Sequence, residues 1–279
     1  MSTDFDLDAY FARIGYRRPR TPTVDVLHAL TAAHTQTIPF ENLDVLLGRP
    51  IELEVPSLFR KLVIERRGGY CFEQNGLFLH VLGELGFDAK PLSARVRLQR
   101  PRDYIPARTH VFLRVAIGGE TWLTDVGVGG ASLTAAIRFD PEAGEQATPH
   151  EARRLIREDG VLFHQIRYGT EWNDVYEFTS EEMPFIDRTV ANWYTSMHPT
   201  SHFRDRLIAA RALPDGRRMA LVNSELTIRE RDGTPTTRPV GSADELLAIL
   251  DESFGLRFPP GTRFATVFRG EGPAPPSCS

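Results

Sequence analysis

The sequence predicts an α+β fold, because its hydrophobic periodicity changes along the chain. Residues 1–86 repeat apolar side chains with the period of helices, residues 87–186 alternate as strands do, and residues 187–270 mix both patterns. A chain of 279 residues, 41% of them hydrophobic, exceeds a typical domain of ~100–200 residues. We therefore expect three regions packed together, followed by a disordered Pro- and Gly-rich tail at 271–279.

Four helices are expected in the first region. The apolar face of the first contains, at spacings of three and four, Leu7, Tyr10, Phe11 and Ile14. The other three are expected over residues 21–37, 56–68 and 71–85. Thr21 would cap the second helix ahead of a first-turn proline. Gly68 would end the third helix, with Arg66 and Arg67 in its last turn.

Strands dominate the middle region. Short segments rich in β-branched and aromatic residues are predicted as strands over residues 93–99, 109–117, 121–128, 153–157, 162–168 and 175–179. A polar loop is expected at 139–150. The third region should contain a helix at 190–196, a hairpin at 217–231 and a helix at 242–254. Ser242 and Glu245 would open that last helix as a capping box.

Composition argues against several classes of protein. The formal net charge is −4, so there is no basic surplus to neutralise the phosphates of a nucleic acid. No run of residues approaches the ~20 apolar positions that a membrane span needs. The acidic amino terminus lacks the basic and apolar regions of a signal peptide. We therefore expect a cytoplasmic protein with neither nucleic-acid nor membrane partners.

Cys71 is the more informative of the two cysteines, since Cys278 lies in the predicted tail. Two glycines at 68–69 allow a sharp turn, and Cys71 is expected to open the helix that follows. The first-turn N–H groups and the helix dipole favour an anion at that position, and a thiolate is such an anion. On its own, however, Cys71 could equally be a small buried apolar residue.

A histidine and an aspartate are expected to lie near each other on one hairpin. A two-residue glycine turn at 118–119 would pair Ile117 with Glu120. His110 and Asp125 would then share one face as diagonal neighbours, ~7–8 Å apart between backbones. The opposite face would collect the apolar side chains of Val111, Leu113, Val115, Ile117, Trp122 and Val126. A turn of odd length would place the two polar residues on opposite faces.

Together, Cys71, His110 and Asp125 fit a nucleophile, its base and the group that orients the base. A free thiol is only a few per cent thiolate at neutral pH, which an adjacent base corrects. A carboxylate fixes the tautomer of that base. Taken singly, His110 could be a core histidine and Asp125 could cap the following turn. Their shared face favours a catalytic triad that carries an acyl group on Cys71.

Four segments resemble signature motifs of the arylamine N-acetyltransferases. Residues 67–75, Arg-Gly-Gly-Tyr-Cys-Phe-Glu-Gln-Asn, are similar to that family's nucleophile motif. Residues 38–43, Ile-Pro-Phe-Glu-Asn-Leu, resemble its second signature. Residues 109–111 and 125–129 are similar to its histidine and aspartate segments. The resemblance extends over nearly the whole chain and is loosest in the carboxyl-terminal third.

The resemblance implies a fold related to papain-like and transglutaminase enzymes, with a helical bundle, an antiparallel β-barrel and an α/β lid. It implies acetyl-CoA as co-substrate, no metal, and a place in xenobiotic metabolism. Cys71 would accept the acetyl group and pass it to an arylamine, arylhydrazine or arylhydroxylamine in a ping-pong reaction. His110 would act as the base in both halves.

Binding residues also follow from the resemblance. The approach to the histidine would be lined by Pro106, Ala107 and Thr109. Candidate backbone donors for an oxyanion lie near Cys71 and in the loop that contains Gly127, Gly129 and Gly130. Arg67 would pair with Glu41 as a buried structural ion pair.

The residues also leave other functions open. The alternatives are a macrolactam-forming amide synthase of the same family, a cysteine hydrolase or transglutaminase-like enzyme, and a non-catalytic binding module. His198 and His202 have a spacing that could bind metal, but Pro199 between them argues against a regular helix and hence against a metal site. The basic pairs at 153–154 and 217–218 are expected to be solvated.

Overall fold

The computed structural model describes residues 5–264 and 266–268. The predicted tail at 271–279, with Cys278, lies outside the described residues. The helices are α1 (Leu7–Ile14), α2 (Val24–Thr37), α3 (Leu43–Leu46), α4 (Val55–Phe59), α5 (Cys71–Glu84), α6 (Phe185–Met197) and α7 (Ala243–Phe254). None of the helices in the described ranges is long and apolar enough to cross a membrane.

Most of the strands form one antiparallel sheet. Its members are, in spatial order, β5 (Ile137–Arg138), β4 (Glu120–Thr124), β3 (His110–Ile117), β2 (Asp88–Val96), β8 (Glu171–Phe178), β7 (Val161–Tyr168) and β6 (Arg153–Glu158). This sheet curls into a nearly closed barrel. The second sheet contains β1 (Phe40–Glu41), β9 (Ile208–Ala212), β10 (Arg218–Val222), β11 (Glu225–Arg229) and β12 (Pro235–Pro239). The predicted α+β class is confirmed.

The starts of the two long amino-terminal helices show where local sequence rules succeed and fail. α1 buries Tyr10, Phe11 and Ile14, as its apolar spacing predicts. Thr23 rather than Thr21 caps α2, because the Thr23 Oγ1 accepts the N–H of Val26 at 3.3 Å. The cap therefore lies just after the proline, and the prediction of a first-turn proline is wrong.

The third predicted helix ends earlier than expected. α4 continues as a π-helical turn, Arg60–Ile64, and the chain then leaves the helix. Arg66 adopts a positive φ of 54°, which turns the following Arg67 into the protein interior. Gly68 consequently ends no helix; a Cβ at this position would lie 2.1 Å from the carbonyl oxygen of Pro39. The segment before Cys71 is thus an irregular connection that packs against the chain near residue 39.

Two of the basic residues predicted to be solvated are instead buried. Arg153 is 0% exposed and Arg218 is 4% exposed. Both bind the carboxylate of Glu151, with Arg218 Nε 2.5 Å and Arg153 Nη2 3.2 Å from its oxygens. The prediction fails because β6 and β10 turn these side chains toward each other from two different sheets. The resulting ion-pair cluster joins the barrel to the carboxyl-terminal sheet.

Candidate active site

Cys71 is the first residue of α5 and is 4% exposed. Tyr70 precedes it in extended backbone as the N-cap residue, so the chain enters the helix directly at the sulfur-bearing residue. The Sγ lies 3.7 Å from the carbonyl oxygen of Thr109, at the start of the strand that carries His110. The predicted setting of the thiol at a helix amino terminus is therefore present.

His110 and Asp125 meet as the predicted hairpin register requires. The pairs from Ile117 with Glu120 to Leu113 with Thr124 are those expected from a two-residue turn. His110 Nε2 and Asp125 Oδ2 are 2.7 Å apart, and both side chains are buried. The pairing between β3 and β4 stops at Thr124. Asp125, the next residue, is therefore not paired with a residue of β3, although the same register would allow it.

The ladder stops because Asp125 binds groups outside the hairpin. Its Oδ1 accepts the side-chain N–H of Asn75 and the backbone N–H of Gly127, each at 2.9 Å. Asn75 also donates to the carbonyl of Val111 at 2.8 Å and accepts the N–H of Val126 at 3.1 Å. The aspartate is thus fixed by the helix that begins with the cysteine. Sequence reasoning missed Asn75, although its position one helical turn after Cys71 was a usable signal.

His110 is held as a cation by its surroundings. Burial alone would lower the pKa of His110, but the Asp125 carboxylate and the nearby Cys71 sulfur raise it to about 10. The ring of Tyr176 packs 5.1 Å from the imidazole between centroids. Burial, helped by the charge of Asp125, raises the pKa of Tyr176 well above its usual value, so that phenol stays neutral. An imidazolium between a carboxylate and a sulfur is suited to hold a thiolate.

The side chain of Gln74 fixes the turn before Cys71. Gln74 Nε2 donates to the carbonyl oxygens of Pro39 at 2.7 Å and Gly69 at 3.2 Å. Its Oε1 contacts His34 Nε2 at 2.7 Å, and the other ring nitrogen of His34 contacts the hydroxyl of Tyr10 at 2.9 Å. Tyr10 and His34 are both fully buried, in keeping with a structural role for His34.

The three residues expected to line the approach have different environments. Pro106 is buried, and its carbonyl accepts a hydrogen bond from Arg95 at 2.6 Å. Ala107 is exposed, and its carbonyl accepts the N–H of Thr109 at 3.0 Å. Thr109 turns its own carbonyl toward the sulfur of Cys71. The chain therefore runs from exposed Ala107 inward to the sulfur of Cys71.

The glycine loop after Asp125 lies against Cys71. A Cβ at Gly127 would be 2.8 Å from Cys71 Cα and 2.7 Å from the side-chain nitrogen Nδ2 of Asn75, so no larger residue fits. Gly129 has a φ of +67°, whereas a Cβ at Gly130 would meet no atom within 4 Å. The N–H of Gly127 already donates to Asp125, which removes it from the candidate oxyanion donors.

The predicted pair of Arg67 and Glu41 is present. Arg67 Nη2 and Nε lie 2.7 and 3.1 Å from Glu41 Oε1. The Glu41 side chain is 0% exposed, and its other oxygen accepts the N–H of Leu43 at 2.7 Å. The pair therefore joins the turn before Cys71 to the start of α3.

His198 and His202 have a spacing that could bind a metal ion. In the structure, His198 Nδ1 contacts Thr200 Oγ1 at 2.9 Å. No group of three or more His, Cys, Asp or Glu side chains in the described part of the chain is arranged to hold a metal ion.

Comparison with known proteins places this geometry in a family. Residues 23–262 match the family model described as N-acetyltransferase. The chain is 43% identical to the arylamine N-acetyltransferase of Escherichia coli over 90% of its own length and 88% of that protein. It is 46% identical to the arylamine N-acetyltransferase of Mycolicibacterium smegmatis, over 90% of this chain and 92% of that protein.

Solved structures agree with these sequence matches. The arylamine N-acetyltransferase structure from M. tuberculosis superposes with a TM-score of 0.86 at 41% identity, covering 90% of this chain and 94% of that one. The Mycobacterium marinum arylamine N-acetyltransferase in complex with CoA gives a TM-score of 0.86 at 40% identity, covering 90% and 93%. The chain therefore belongs to the arylamine N-acetyltransferase family of acyltransferases.

Proposed function

We propose that this enzyme transfers an acetyl group from acetyl-CoA to the nitrogen of an arylamine, arylhydrazine or arylhydroxylamine, through a thioester on Cys71. The observation that carries the proposal is the buried contact of His110 with Asp125 beside the sulfur of Cys71. The relatives named above support the substrate class, and the M. marinum relative was solved with CoA.

In the first half-reaction, the Cys71 thiolate attacks the carbonyl carbon of the acetyl donor. The donor's carbon–sulfur bond breaks, and the His110 imidazolium gives its proton to the departing thiolate. Asp125 keeps the imidazole oriented throughout, because its other oxygen is held by two N–H groups. In the first turn of α5, the N–H groups of Glu73 and Gln74 donate to the carbonyl of Tyr70 at 3.0 and 2.9 Å. The N–H groups of Cys71 and Phe72 are therefore the candidate donors to the transient oxyanion.

In the second half-reaction, His110 is neutral and acts as the base. It accepts a proton from the amine nitrogen as that nitrogen attacks the thioester carbon. The carbon–sulfur bond to Cys71 breaks, and the thiolate–imidazolium pair is restored. Both substrates must reach the sulfur of Cys71, a residue that is 4% exposed, so the same approach serves both half-reactions in turn.

For binding, we assign the donor's approach to the 106–109 segment and to the glycine loop. Ala107 is exposed and Thr109 faces the sulfur, so Pro106, Ala107 and Thr109 form one wall. Gly130 has open space where a side chain would stand, and Gly129 lies against the ring of Phe40, while Gly127 holds the loop against Cys71. Glycines let a substrate approach the backbone closely.

Intact-mass measurement after mixing the protein with acetyl-CoA alone tests the covalent step. We expect a gain of one acetyl group, its absence in Cys71→Ser, and its retention in Cys278→Ser. Adding a simple arylamine or hydrazine should then discharge the acetyl group and yield the amide. A protein whose Cys71 reacts with alkylating agents but gains mass from no CoA donor would contradict the proposal.

Reactions with other substrates separate the alternative chemistries. Acyl transfer from a carrier-bound chain without reaction with acetyl-CoA would favour an amide synthase. Peptide cleavage that does not depend on CoA would favour a cysteine hydrolase. Neither outcome is expected from the proposed acetyl transfer.

A further inference from the structure

Five ionisable side chains form a buried chain of ion pairs behind the nucleophile. In order of contact they are Glu73, Lys61, Asp44, Arg67 and Glu41. Lys61 Nζ lies 2.6 Å from Glu73 Oε1 and 2.7 Å from Asp44 Oδ2. Arg67 Nη2 completes the chain at 3.2 Å from Asp44 Oδ1. Because three carboxylates share two cations, losing either cation leaves a buried carboxylate without full compensation.

Glu73 is the member closest in sequence to the reacting sulfur. It is the third residue of α5, and its Oε2 reaches back to accept the N–H of Tyr70 at 3.0 Å. Its side chain is 2% exposed. A Cβ at Gly69 would lie 2.7 Å from that same oxygen, so the turn before Cys71 is folded directly over the carboxylate. Glu73 thus joins the first turn of α5 to the two residues that precede Cys71.

The charge of Glu73 matters as well as its shape. A buried negative charge near a thiol disfavours the thiolate, unless a cation compensates it. Burial raises the pKa of Glu73, and Lys61 opposes that rise. Burial alone would lower the pKa of Lys61, but its carboxylate neighbours raise it, so Lys61 stays charged at neutral pH. The positive charge that balances Glu73 therefore comes from Lys61.

The remaining groups around these side chains do not replace Lys61. Arg67 is occupied by Glu41 and Asp44, and Arg49, whose side chain is 55% exposed, contacts Asp44 at 3.3 Å. The charged or titratable groups near the sulfur itself are Tyr70, His110 and Asp125.

We propose that Lys61 is a positioning residue of the reaction, which sustains the reactivity of Cys71 by neutralising Glu73 at the start of α5. The inference rests on the proposed role of Cys71 as the nucleophile. Lys61 touches no reacting atom; it acts through the carboxylate that caps the turn before the sulfur. Its loss should therefore change the pH at which Cys71 reacts, and only secondarily the stability of the protein.

The test is the rate of Cys71 alkylation by iodoacetamide as a function of pH, in a Cys278→Ser background so that one thiol reports. In Lys61→Met the half-maximal rate should move up by about one pH unit, a tenfold loss of reactive sulfur at lower pH. Lys61→Arg should retain the wild-type profile. Lys61→Met/Glu73→Gln should return toward it, because the uncompensated charge is gone.

The lysine at position 90 provides a matched control, since Lys90 is exposed on β2 and Lys90→Met removes the same charge elsewhere. Its profile should stay that of the wild type. An unshifted midpoint in Lys61→Met, with only a lower melting temperature, would show a purely structural role and overturn the proposal. Should Lys61→Met not fold, Glu73→Gln alone decides: its midpoint should fall, and an unchanged midpoint would refute the inference.

The alkylation readout needs no acetyl donor, so the two proposals can fail separately. A protein with the expected Lys61 effect but no acetylation of Cys71 would overturn the proposed acetyl transfer alone. A protein that is acetylated normally but shows no shift in Lys61→Met would overturn the role of Lys61 alone.

Discussion

Asp125 is the residue at which the helix and the hairpin of the site are joined. Its Oδ2 holds His110, and its Oδ1 accepts N–H groups from Asn75 and Gly127. A carboxylate held by three donors cannot rotate away from the imidazole. The orientation of the His110 ring therefore depends on both α5 and the loop after β4.

Asp125→Asn should lower kcat/KM by roughly 10⁴-fold while leaving the fold intact, because an amide can present its N–H to His110 and favour the wrong tautomer. Steady-state rates with acetyl-CoA and an arylamine, together with circular dichroism, measure both effects. Asp159→Asn, in an exposed turn with a φ of +48°, is the matched control and should keep full activity. Full activity in Asp125→Asn would refute the assignment of the triad.

At this scale the sequence predicted what local geometry determines. The two-residue turn at 118–119 sets which hairpin residues share a face, and it brought His110 to Asp125. Asn75 and Tyr176 were not predicted, because their contacts arise from packing between α5, β3 and β8. No spacing within one element encodes such contacts.

Helix α5 and the loop after β4 lie so close together that only glycine fits at Gly127. Gly127→Ala would place a Cβ 2.8 Å from Cys71 Cα, and backbone cannot yield as a flexible side chain can. We expect a loss of about 1–3 kcal/mol of stability and a large loss of kcat. Gly83→Ala, on the same helix with nothing within 4 Å, should be neutral or slightly stabilising. Chemical unfolding and initial rates on both variants decide; equal behaviour would contradict the close approach.

The connection before α5 shows why the third predicted helix was too long. Apolar spacing and two arginines favoured a helix up to Gly68, yet the chain turns at Arg66, with a φ of +54°, so that Arg67 reaches Glu41. A buried ion pair between residues far apart in sequence overrides a local helix preference. Sequence patterns show the helix preference, but they do not show how strong the competing ion pair is.

Arg67→Met should destabilise the protein by about 3–5 kcal/mol, because it leaves Glu41 buried without its cation. Arg257→Met breaks an ion pair whose arginine side chain is 85% exposed, and it should leave the stability nearly unchanged. Urea unfolding at neutral pH measures both changes. Similar costs for the two variants would mean that burial does not distinguish these pairs.

For the whole molecule, contacts of long sequence separation attach the carboxyl-terminal sheet to the amino-terminal helices. β1, between α2 and α3, pairs with β9. Asn42 donates to the carbonyls of Phe203 and Arg206, each at 2.7 Å, and accepts the N–H of Ile208 at 2.8 Å. Sequence patterns do not predict these contacts, because two-residue strands such as β1 leave no periodic signal.

The cluster of Glu151, Arg153 and Arg218 is a second attachment, which joins the barrel to the carboxyl-terminal sheet. It makes the stability of the protein depend on pH. Burial would raise the pKa of Glu151, but Arg218 and then Arg153 lower it to about 2. Since the folded pKa lies below the ordinary value of 4.5, the stabilisation is complete above pH 4.5 and is lost as the pH falls toward 2. Wild-type stability should therefore decline across that interval.

Glu151→Gln should be less stable than wild type by about 3–5 kcal/mol at pH 7, because two buried guanidinium groups lose their carboxylate. The difference should shrink as the pH falls below 4.5, since protonation removes the same charge from the wild type. Glu225→Gln, exposed on β11, should track the wild type at every pH. Urea unfolding from pH 7 to pH 3 provides the comparison. A difference that stays constant with pH would show that Glu151 holds the two sheets together by shape and hydrogen bonding, not by its charge.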